Sequence, residues 1–181
     1  MHWKHMKSWL RSHPVLGVAL GLVAIAVVAL GFYWFAPQRL VLDREVAEAL
    51  PTPSPTSEAG ADGADDPVVG PIELARGAFR SLEHRTTGVA RVVELEDGSR
   101  FVRLEDLDTS DGPDLRIYLT DQPVSDDWHV WDDGRYVDLG ALEGNVGDSN
   151  YRIPAAVELD AFRTVVIWCR RFTVGFAVAP L

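Results

Sequence analysis

Few side chains in this sequence have the chemistry for catalysis or for binding a cofactor. Cys169, the only cysteine in the chain, lies in the stretch VVIWCRRF, and beyond the N-terminal tail only His84 and His129 carry imidazole groups. A thiol beside an imidazole can act as a nucleophile or as a metal ligand. Cys169 is therefore the first candidate functional residue of the chain.

The residues around Cys169 lack the other parts of the common cysteine and metal sites. A zinc site needs several thiolate or imidazole ligands. Covalent haem of the c type needs a C-x-x-C-H run, which is absent. No Gly-rich turn or helix N-terminus adjoins Cys169 to form an oxyanion hole. The sequence contains no complete catalytic constellation and favours a role other than that of an enzyme. A hydrolase that uses Cys169 and His84 is the weakest alternative.

The acidic stretch DLDTSDG, residues 106–112, superficially resembles a calcium-binding loop. Asp111 stands where such a loop requires a glycine, and Ile117 stands where it requires a bidentate glutamate. We interpret the stretch as an Asx turn that ends in Gly-Pro and directs the next strand. No metal site is predicted.

The direction in which Cys169 points depends on how the last two apolar runs are joined. Strand alternation places Cys169 on the same face as Ile167, whereas the next apolar set has the opposite parity. That set comprises Phe172, Val174, Phe176 and Val178. A β-bulge near the two following arginines would keep Cys169 inward beside Ile167 and Phe172, as a small apolar group. Without the bulge, Trp168 joins the core, and Cys169 shares a face with Arg171, whose charge lowers the thiol pKa. Both arrangements fit the sequence.

Residues 72–181 have the pattern of a single β domain. Short runs of alternating apolar residues are separated by turn residues, and helical periodicity is absent from the runs. The candidate strands lie in GVARVVEL, RFVRLEDL, LRIYL, WHVWDDGRYVDLG, YRIP, RTVVIWC and FTVGFAV. About eight short strands of this kind favour an all-β fold, either an antiparallel sandwich or a small barrel.

An Asp-Gly dipeptide at residues 97–98 predicts a hairpin, because this pair is favoured in two-residue turns between strands. The register expected from that turn sets Val93 opposite Val102. It also sets Arg91 opposite Leu104.

A second Asp-Gly dipeptide, at residues 133–134, predicts a second hairpin. Its register sets Trp131 opposite Tyr136, and His129 opposite Asp138 as a solvated charge pair. The aromatic residues of the domain are interpreted as core and sheet packing rather than as a sugar-binding platform. They are Trp128, Trp131, Tyr136 and Trp168.

The residues from Val15 to Ala36 form an uninterrupted apolar segment. It runs 22 residues without a charged side chain, which at helical rise covers roughly 33 Å, enough to cross a bilayer core. The tail of residues 1–14 carries Lys4, Lys7 and Arg11 and no acidic residue, so the positive-inside rule places the N-terminus in the cytoplasm. The segment ends in aromatic residues rather than a small-residue cleavage site, which favours an uncleaved anchor in the plasma membrane. Everything after the anchor is expected outside.

Residues 37–71 connect this anchor to the β domain. Residues 39–50 are predicted as a short juxtamembrane helix with one apolar face. The Pro-, Ala- and Asp-rich residues that follow lack apolar surface for a core and predict a flexible spacer. The chain has a net charge of -10, and residues 72–181 contain twelve arginines against twenty acidic residues. An acidic exterior argues against nucleic acid as a partner.

Four motifs together resemble one known family. They are GAFRSLEHRTTGVARV at 77–92, TSDGPDLRIYL at 109–119, LGALEGNVGDSNYRIP at 139–154 and VVIWCRRFTVGFAVAPL at 165–181. In this order they resemble the DM-thirteen domain, an all-β extracytoplasmic module of electron-transfer type, over the whole exterior domain. The resemblance implies that Cys169 is the functional position, as a bare redox thiol or as a ligand to a prosthetic group such as haem. It also implies that His84 is a co-ligand or base.

The resemblance implies a redox or electron-transfer accessory module on a bacterial membrane. Members of the family occur beside DOMON domains and membrane cytochrome modules, and a chain without them needs a separate redox partner. The lipid bilayer is a further expected partner, through Val15 to Ala36, and Gly17 and Gly21 have the small-residue spacing of a helix pair in a homodimer. The alternative function is a non-catalytic cell-envelope binding or adhesion domain, in which Cys169 is only packed.

Overall fold

The structure, a computed structural model, describes residues 14–35, 43–51 and 70–181. The predicted basic tail and most of the predicted flexible spacer lie outside these described residues. The chain divides into two compact units, residues 1–38 and residues 39–181, and each is described by itself.

A long helix, α1, forms the described part of the first unit. It runs from Pro14 to Phe35, 22 residues, and begins with a proline whose missing N–H costs no helical hydrogen bond. By length and composition, residues Pro14–Trp34 are sufficient to cross a membrane. The apolar side chains from Val15 to Trp34 are largely exposed. The predicted helix is thus confirmed, except for Ala36, which lies outside the described residues.

The described part of the second unit consists of two five-stranded sheets. The strands are β1 (Glu45–Ala47), β2 (Ile72–Ala78), β3 (Arg80–Ser81), β4 (Thr87–Glu94), β5 (Arg100–Asp108), β6 (Leu115–Thr120), β7 (Tyr136–Ala141), β8 (Val146–Ile153), β9 (Thr164–Cys169) and β10 (Val174–Pro180). The first sheet has the order β1-β8-β5-β4-β2 and the second β3-β10-β9-β6-β7. Of these neighbouring strands, β1 and β8 run parallel and the others antiparallel. The predicted all-β sandwich is confirmed.

Apolar side chains pack both between the two sheets and outside the second one. The main core between the sheets includes Ala90, Val92, Val102, Leu104, Ile117, Leu119, Val165 and Ile167. A smaller outer cluster contains Tyr118, Trp131, Val166, Trp168 and Val178. Because side chains alternate along a strand, β9 is covered on both faces, and all its residues from Thr164 to Cys169 are buried.

The predicted hairpin between β4 and β5 is present, but its predicted register is wrong by one residue. The observed pairs are Val93–Phe101 and Arg91–Arg103, in place of Val93–Val102 and Arg91–Leu104. The loop is one residue longer than a two-residue turn, since Leu95 N–H donates to the Ser99 carbonyl at 2.9 Å. Gly98 takes the left-handed conformation, φ 75°, that a three-residue hairpin loop requires.

The second predicted hairpin is wrong. Residues Val130–Asp132 form a 3-10 helix instead of a strand, and β7 pairs with β6. Trp131 is fully buried in the outer cluster. Gly175 leaves room for its indole, because a Cβ at that position would lie 2.7 Å from Nε1 of Trp131. Burial of this large side chain outweighs the local turn preference of the Asp-Gly pair.

Cys169 points into the main core, as in the first of the two predicted arrangements, and Trp168 faces the outer cluster. The register shift that joins the two apolar runs lies in β10, between Gly175 and Ala177, so the predicted bulge at the arginines is wrong. Phe172 belongs to the turn between β9 and β10, and its side chain is 42 % exposed rather than part of the core. Both Cys169 and Trp168 are therefore buried, on opposite faces of one strand.

Residues 43–51, here called the docking segment, belong to the β unit. Their strand β1 pairs in parallel with β8, so the predicted juxtamembrane helix is wrong for the described residues. The approach of the two backbones requires glycine in β8: Gly147 has φ 103°, and a Cβ there would overlap the carbonyl oxygen of Val46. Residues Glu45–Ala47, within the segment predicted as a helix, are thus an edge strand of the first sheet.

Polar groups fasten the docking segment to the sandwich. The guanidinium of Arg44 donates to both carboxylate oxygens of Asp111 at 3.0 Å. The backbone N–H of Arg44 donates to the side-chain oxygen of Asn145 at 2.7 Å. Because the Asp111 side chain is only 1 % exposed, the ion pair with Arg44 compensates a buried charge. The acidic stretch at 106–112 thus binds a segment of its own chain.

Candidate thiol site

Cys169 ends β9 at a point enclosed by both neighbouring strands. It pairs with Leu115 of β6 and with Val174 of β10. The side chain faces the main core, which also contains Phe176, and the residue is 0 % exposed. The thiol is therefore closed off from solvent between the two sheets.

Burial and hydrogen bonding act on the Cys169 sulfur in opposite directions. Burial is the larger influence and raises the pKa of Cys169 above its ordinary value of 9.0, because it disfavours the thiolate. The backbone N–H groups of Phe172, Arg171 and Asp114 act on the sulfur in the opposite direction and lower the pKa in part. The Phe172 N–H also donates to the Cys169 carbonyl oxygen at 3.3 Å. The thiol stays protonated at neutral pH, yet backbone donors are placed to stabilise negative charge on it.

The loops that supply these donors are tied to each other. The backbone N–H of Arg170 donates to the Asp114 carbonyl at 3.0 Å, and the Arg170 guanidinium donates to the Asp114 carboxylate at 2.9 Å. This double contact joins the turn after β9 to the residues before β6. The donor groups therefore keep their positions around the sulfur, and the Arg170 charge is directed to Asp114.

His84 lies just beyond β3 and reaches the core through a phenyl ring. Its imidazole packs on Phe176 with ring centroids 3.9 Å apart. Its Nε2 lies 3.3 Å from the carboxylate of Glu83. Phe176 belongs to the same core cluster as Cys169. His84 therefore covers part of the core that holds the thiol, through ring packing on its wall.

The predicted pair between His129 and Asp138 is wrong. The Arg116 guanidinium donates to Asp138 at 2.8 Å. Nδ1 of His129 lies 2.6 Å from the carbonyl oxygen of Thr173, in the turn that follows Cys169. His129 therefore braces that turn from outside, a contact that sequence spacing does not indicate.

The surroundings of Cys169 do not fit a haem group. A haem ring needs an open slot beside its axial ligand, whereas Cys169 is completely buried within a packed cluster. Two cavities, of 360 and 1010 Å³, share Leu74, Leu159 and Asp160 in their lining and include neither Cys169 nor His84. Within the described residues no group of three or more His, Cys, Asp or Glu side chains is arranged for a metal ion. The chemistry of Cys169 is that of the thiol itself.

Three aromatic rings, one each from β9, β6 and β7, lie in a row on the face of the second sheet opposite the Cys169 side chain. The ring centroids of Trp168 and Tyr118 are 6.1 Å apart, and those of Tyr118 and Tyr136 are 4.7 Å apart. Trp168 is 0 % exposed, Tyr118 3 % and Tyr136 44 %. The row thus runs from the residue next to Cys169 to the protein surface.

Sequence reasoning missed this aromatic row. Tyr118 meets Trp168 only because β6 pairs with β9, and it meets Tyr136 only because β6 pairs with β7. Both pairings join residues far apart in the chain. From the sequence, the alternation of side chains along a strand predicted only that Trp168 and Cys169 lie on opposite faces.

The fold and the site define a small two-sheet β module with a single buried thiol. A family model described as electron transfer DM13 matches residues 78–181. The chain belongs to this DM13 family, and the resemblance to the DM-thirteen domain is thereby confirmed. No curated protein and no solved structure gives a significant match. The family description indicates a role related to electron transfer or redox chemistry.

Proposed function

We propose that this protein is a membrane-anchored redox module in which Cys169 exchanges single electrons. The observation that carries the proposal is the environment of the sulfur, which is completely buried beside the turn after β9 and is influenced by backbone N–H groups that lower its pKa in part. A cysteine that only fills space in a core behaves as a small apolar group and needs no such partners. The family description supports the same role.

Burial of the sulfur selects the kind of redox chemistry. Thiol–disulfide exchange requires a partner sulfur to reach Cys169, and the closed core prevents that contact. Electron transfer requires short distances but no contact. In the proposed step, the Cys169 thiol gives one electron to a one-electron acceptor protein and becomes a thiyl radical. Its proton leaves to solvent in a transient local opening that admits water but no partner sulfur. An electron from a donor protein and a proton from solvent restore the thiol. His84, packed on Phe176, has a positioning role at the wall of this site.

The proposed arrangement has α1 across the plasma membrane, the N-terminus in the cytoplasm and the β unit outside. It is supported by the length and composition of the helix and by the basic residues that precede it. We expect protease added to intact cells to digest the β unit and to spare the tail. The intact mass of the extracted chain should include residues 1–36. A chain that begins after Ala36, or a β unit protected until lysis, contradicts this topology.

Two reagents distinguish an electron-exchanging thiol from a merely packed one. The full chain in detergent micelles is treated with iodoacetamide, which must contact the sulfur. A separate sample is treated in air with tris-bipyridine ruthenium(III), photogenerated from the ruthenium(II) complex with persulfate as electron acceptor, which needs only to accept an electron from the protein. We expect the folded chain to resist alkylation at Cys169 and to acquire oxygen at Cys169 under illumination. The chain unfolded in urea should react with both reagents and serves as the control. Folded protein that resists both reagents would overturn the proposed function.

The second candidate function is a non-catalytic binding domain of the cell envelope. Complete burial of Cys169 is equally consistent with packing, and the cavity of 360 Å³ lies within the size range of small-ligand sites. Its lining includes Leu74, Val92 and Phe162. If this function is correct, Cys169→Ala should bind envelope fragments as the wild type does while losing about 1–2 kcal/mol of stability. Loss of an electron-transfer activity in Cys169→Ala, with the fold intact, would contradict it.

A further inference from the structure

We propose that the two cavities beside β2 form one binding site for a zwitterion with a large aliphatic side chain, that is, for a free α-amino acid such as leucine. The cavities of 360 and 1010 Å³ have Leu74, Leu159 and Asp160 in common, so they adjoin each other. Neither lining includes Cys169. The inference therefore goes beyond the proposed redox function and depends on no property of the thiol.

The smaller cavity, here called the apolar cavity, has the character of a site for an aliphatic group. Val92 is 1 % exposed and Leu74 is 45 % exposed, so the lining extends from the core to the surface. A volume of 360 Å³ lies within the range of small-molecule sites and leaves room for a branched aliphatic side chain. Apart from Asp160, the lining consists of Leu74, Ala75, Val92, Leu159, Phe162 and Leu181.

The larger cavity, here called the outer groove, carries charges of both signs. Its lining includes Arg100 and Arg135 together with Glu158 and Asp160. The Arg135 side chain is 69 % exposed and lies 3.6 Å from Asp121, so it can turn to another anion at little cost. Asp160 lines both cavities, which places a carboxylate at their junction. The site thus offers an aliphatic slot, a carboxylate at its entrance, and guanidinium groups in the outer groove.

Charge complementarity decides between the ligand classes that an aliphatic slot admits. A fatty acid brings only negative charge and would face Glu158 and Asp160, whereas an alkylamine brings only positive charge and would face the two arginines. An α-amino acid carries an ammonium and a carboxylate on the carbon that bears its side chain. Its side chain can enter the apolar cavity while the ammonium lies at Asp160 and the carboxylate lies toward Arg100 and Arg135.

The wall that carries Asp160 is held in place by the protein itself. Within this wall, Leu159–Ala161 form one turn of 3-10 helix. The Arg100 guanidinium donates to the carbonyl oxygens of Ala155 at 3.1 Å and Val157 at 2.9 Å. Both bonds use the same nitrogen, Nη2, so Arg100 fixes the loop and still presents its charge to the groove. A wall fixed in this way loses little conformational entropy when a ligand binds.

Ligand-observed NMR on the full chain tests the site. Saturation-transfer difference spectra of the leucine methyl groups are recorded with the chain in deuterated detergent micelles, into which leucine does not partition. We expect a leucine signal with the wild type and its loss in Ala75→Phe, which fills the apolar cavity. Ala141→Phe adds the same side chain at an exposed position of β7 outside both linings and should keep the signal.

Two analogues of leucine assign the charged groups. Leucinamide keeps the ammonium without the carboxylate, and N-acetylleucine keeps the carboxylate without the ammonium. Asp160→Asn should weaken binding of leucine and leucinamide several-fold and leave N-acetylleucine unchanged. Arg135→Gln should weaken leucine and N-acetylleucine and leave leucinamide unchanged. Glu158→Gln is the control for Asp160→Asn, because Glu158 lines only the outer groove, and it should have the smaller effect.

The outcomes test the ligand class as well as the site. A folded wild type that gives no leucine signal, or a signal that persists in Ala75→Phe, would overturn the site. Equal binding of leucine and its two analogues would overturn the recognition of a zwitterion. Tighter binding of the dipeptide leucylglycine than of leucine would overturn the free amino acid in favour of the N-terminal residue of a peptide. Asp160 and Arg135 are exposed, so their variants keep the test valid even if Ala75→Phe proves unstable. Oxidation of Cys169 reports the proposed redox function separately.

Discussion

The Cys169 sulfur combines an apolar position with polar neighbours. Its strand neighbours and core cluster would accept a small apolar side chain, while backbone N–H groups of two loops lower the pKa of the thiol in part. The loops are joined by Arg170 and Asp114, so the donors persist whether or not the sulfur is charged. A buried thiol with fixed neighbours can change its redox state with little rearrangement of its surroundings, as the proposed redox role of Cys169 requires.

The raised pKa of Cys169 predicts a loss of stability at alkaline pH. The folded chain keeps the thiol proton at pH values where the unfolded chain has released it, so ionisation favours unfolding. The stability that the wild type has over Cys169→Ala should be fully present below the ordinary pKa of 9.0 and should decrease as the pH rises above it. Urea unfolding of both proteins from neutral to alkaline pH measures the difference. Tyr118 is present in both proteins, so its own titration cancels. A difference that does not change with pH would show that burial leaves this pKa unshifted.

The ion pair between Arg44 and Asp111 should stabilise the β unit more than an exposed pair does. Arg44→Gln leaves the buried Asp111 carboxylate without its charged partner. We expect a loss of about 2 kcal/mol, less than for a fully buried pair because Arg44 is partly exposed. Arg135→Gln is the matched control, because the Arg135 side chain is 69 % exposed and its Nε lies 3.6 Å from the Asp121 carboxylate. This variant should lose less than about 0.5 kcal/mol of unfolding free energy. Equal losses in the two variants, measured by urea unfolding, would contradict a compensating role for Arg44.

At the scale of elements, the contact between β1 and β8 depends on a glycine. Gly147 lacks room for a Cβ beside the Val46 carbonyl, and its φ of 103° is unfavourable for other residues. Gly147→Ala should therefore displace β1 and cost at least about 2 kcal/mol. Hydrogen exchange at Glu48, whose N–H donates to the Asp148 carbonyl at 3.0 Å, should become fast.

Gly98→Ala provides the control for this prediction. Gly98 also has positive φ, 75°, but an added Cβ would meet open space. Backbone strain alone should cost about 1 kcal/mol in this variant. Hydrogen exchange of the Glu48 backbone N–H should stay slow in Gly98→Ala. If both alanine variants leave Glu48 protected, β1 is not held in the way the structure indicates.

Prediction from sequence succeeded for elements whose signals are local. The apolar helix, the all-β class and the β4–β5 hairpin follow from runs and turn residues that lie next to each other in the chain. The register of that hairpin was wrong because Gly98 allows a three-residue loop as readily as a two-residue one. The Asp133-Gly134 turn and the juxtamembrane helix were wrong because long-range contacts decide there: Trp131 packs on Gly175, and Arg44 binds Asp111.

The candidate site was predictable to a similar extent. Strand parity limited Cys169 to two orientations, and the family resemblance singled out its position. The three N–H donors and the aromatic row come from loops and strands that only the complete topology brings together. No local pattern encodes such contacts.

At the scale of the whole molecule, the docking segment should raise the stability of the β unit. Residues 43–51 add β1 and the ion pair of Arg44 to a unit that otherwise starts at β2. A protein of residues 43–181 should therefore unfold at a higher temperature than one of residues 70–181. Adding a synthetic peptide of residues 43–51 to the shorter protein should recover part of the difference, and the same peptide with Arg44→Ala should recover less. Equal melting temperatures for the two proteins would contradict this prediction.

The strand order of the first sheet determines which truncated forms of the protein keep their sheet edges covered. The DM13 match spans residues 78–181, which excludes β1 and all but the last residue of β2. Those strands are the two outermost members of β1-β8-β5-β4-β2. A fragment of residues 78–181 would leave the outer backbone N–H and C=O groups of β8 and β4 unpaired. Each of these strand edges could then pair with a strand of another copy. Such a fragment should polymerise into sheet-like fibres.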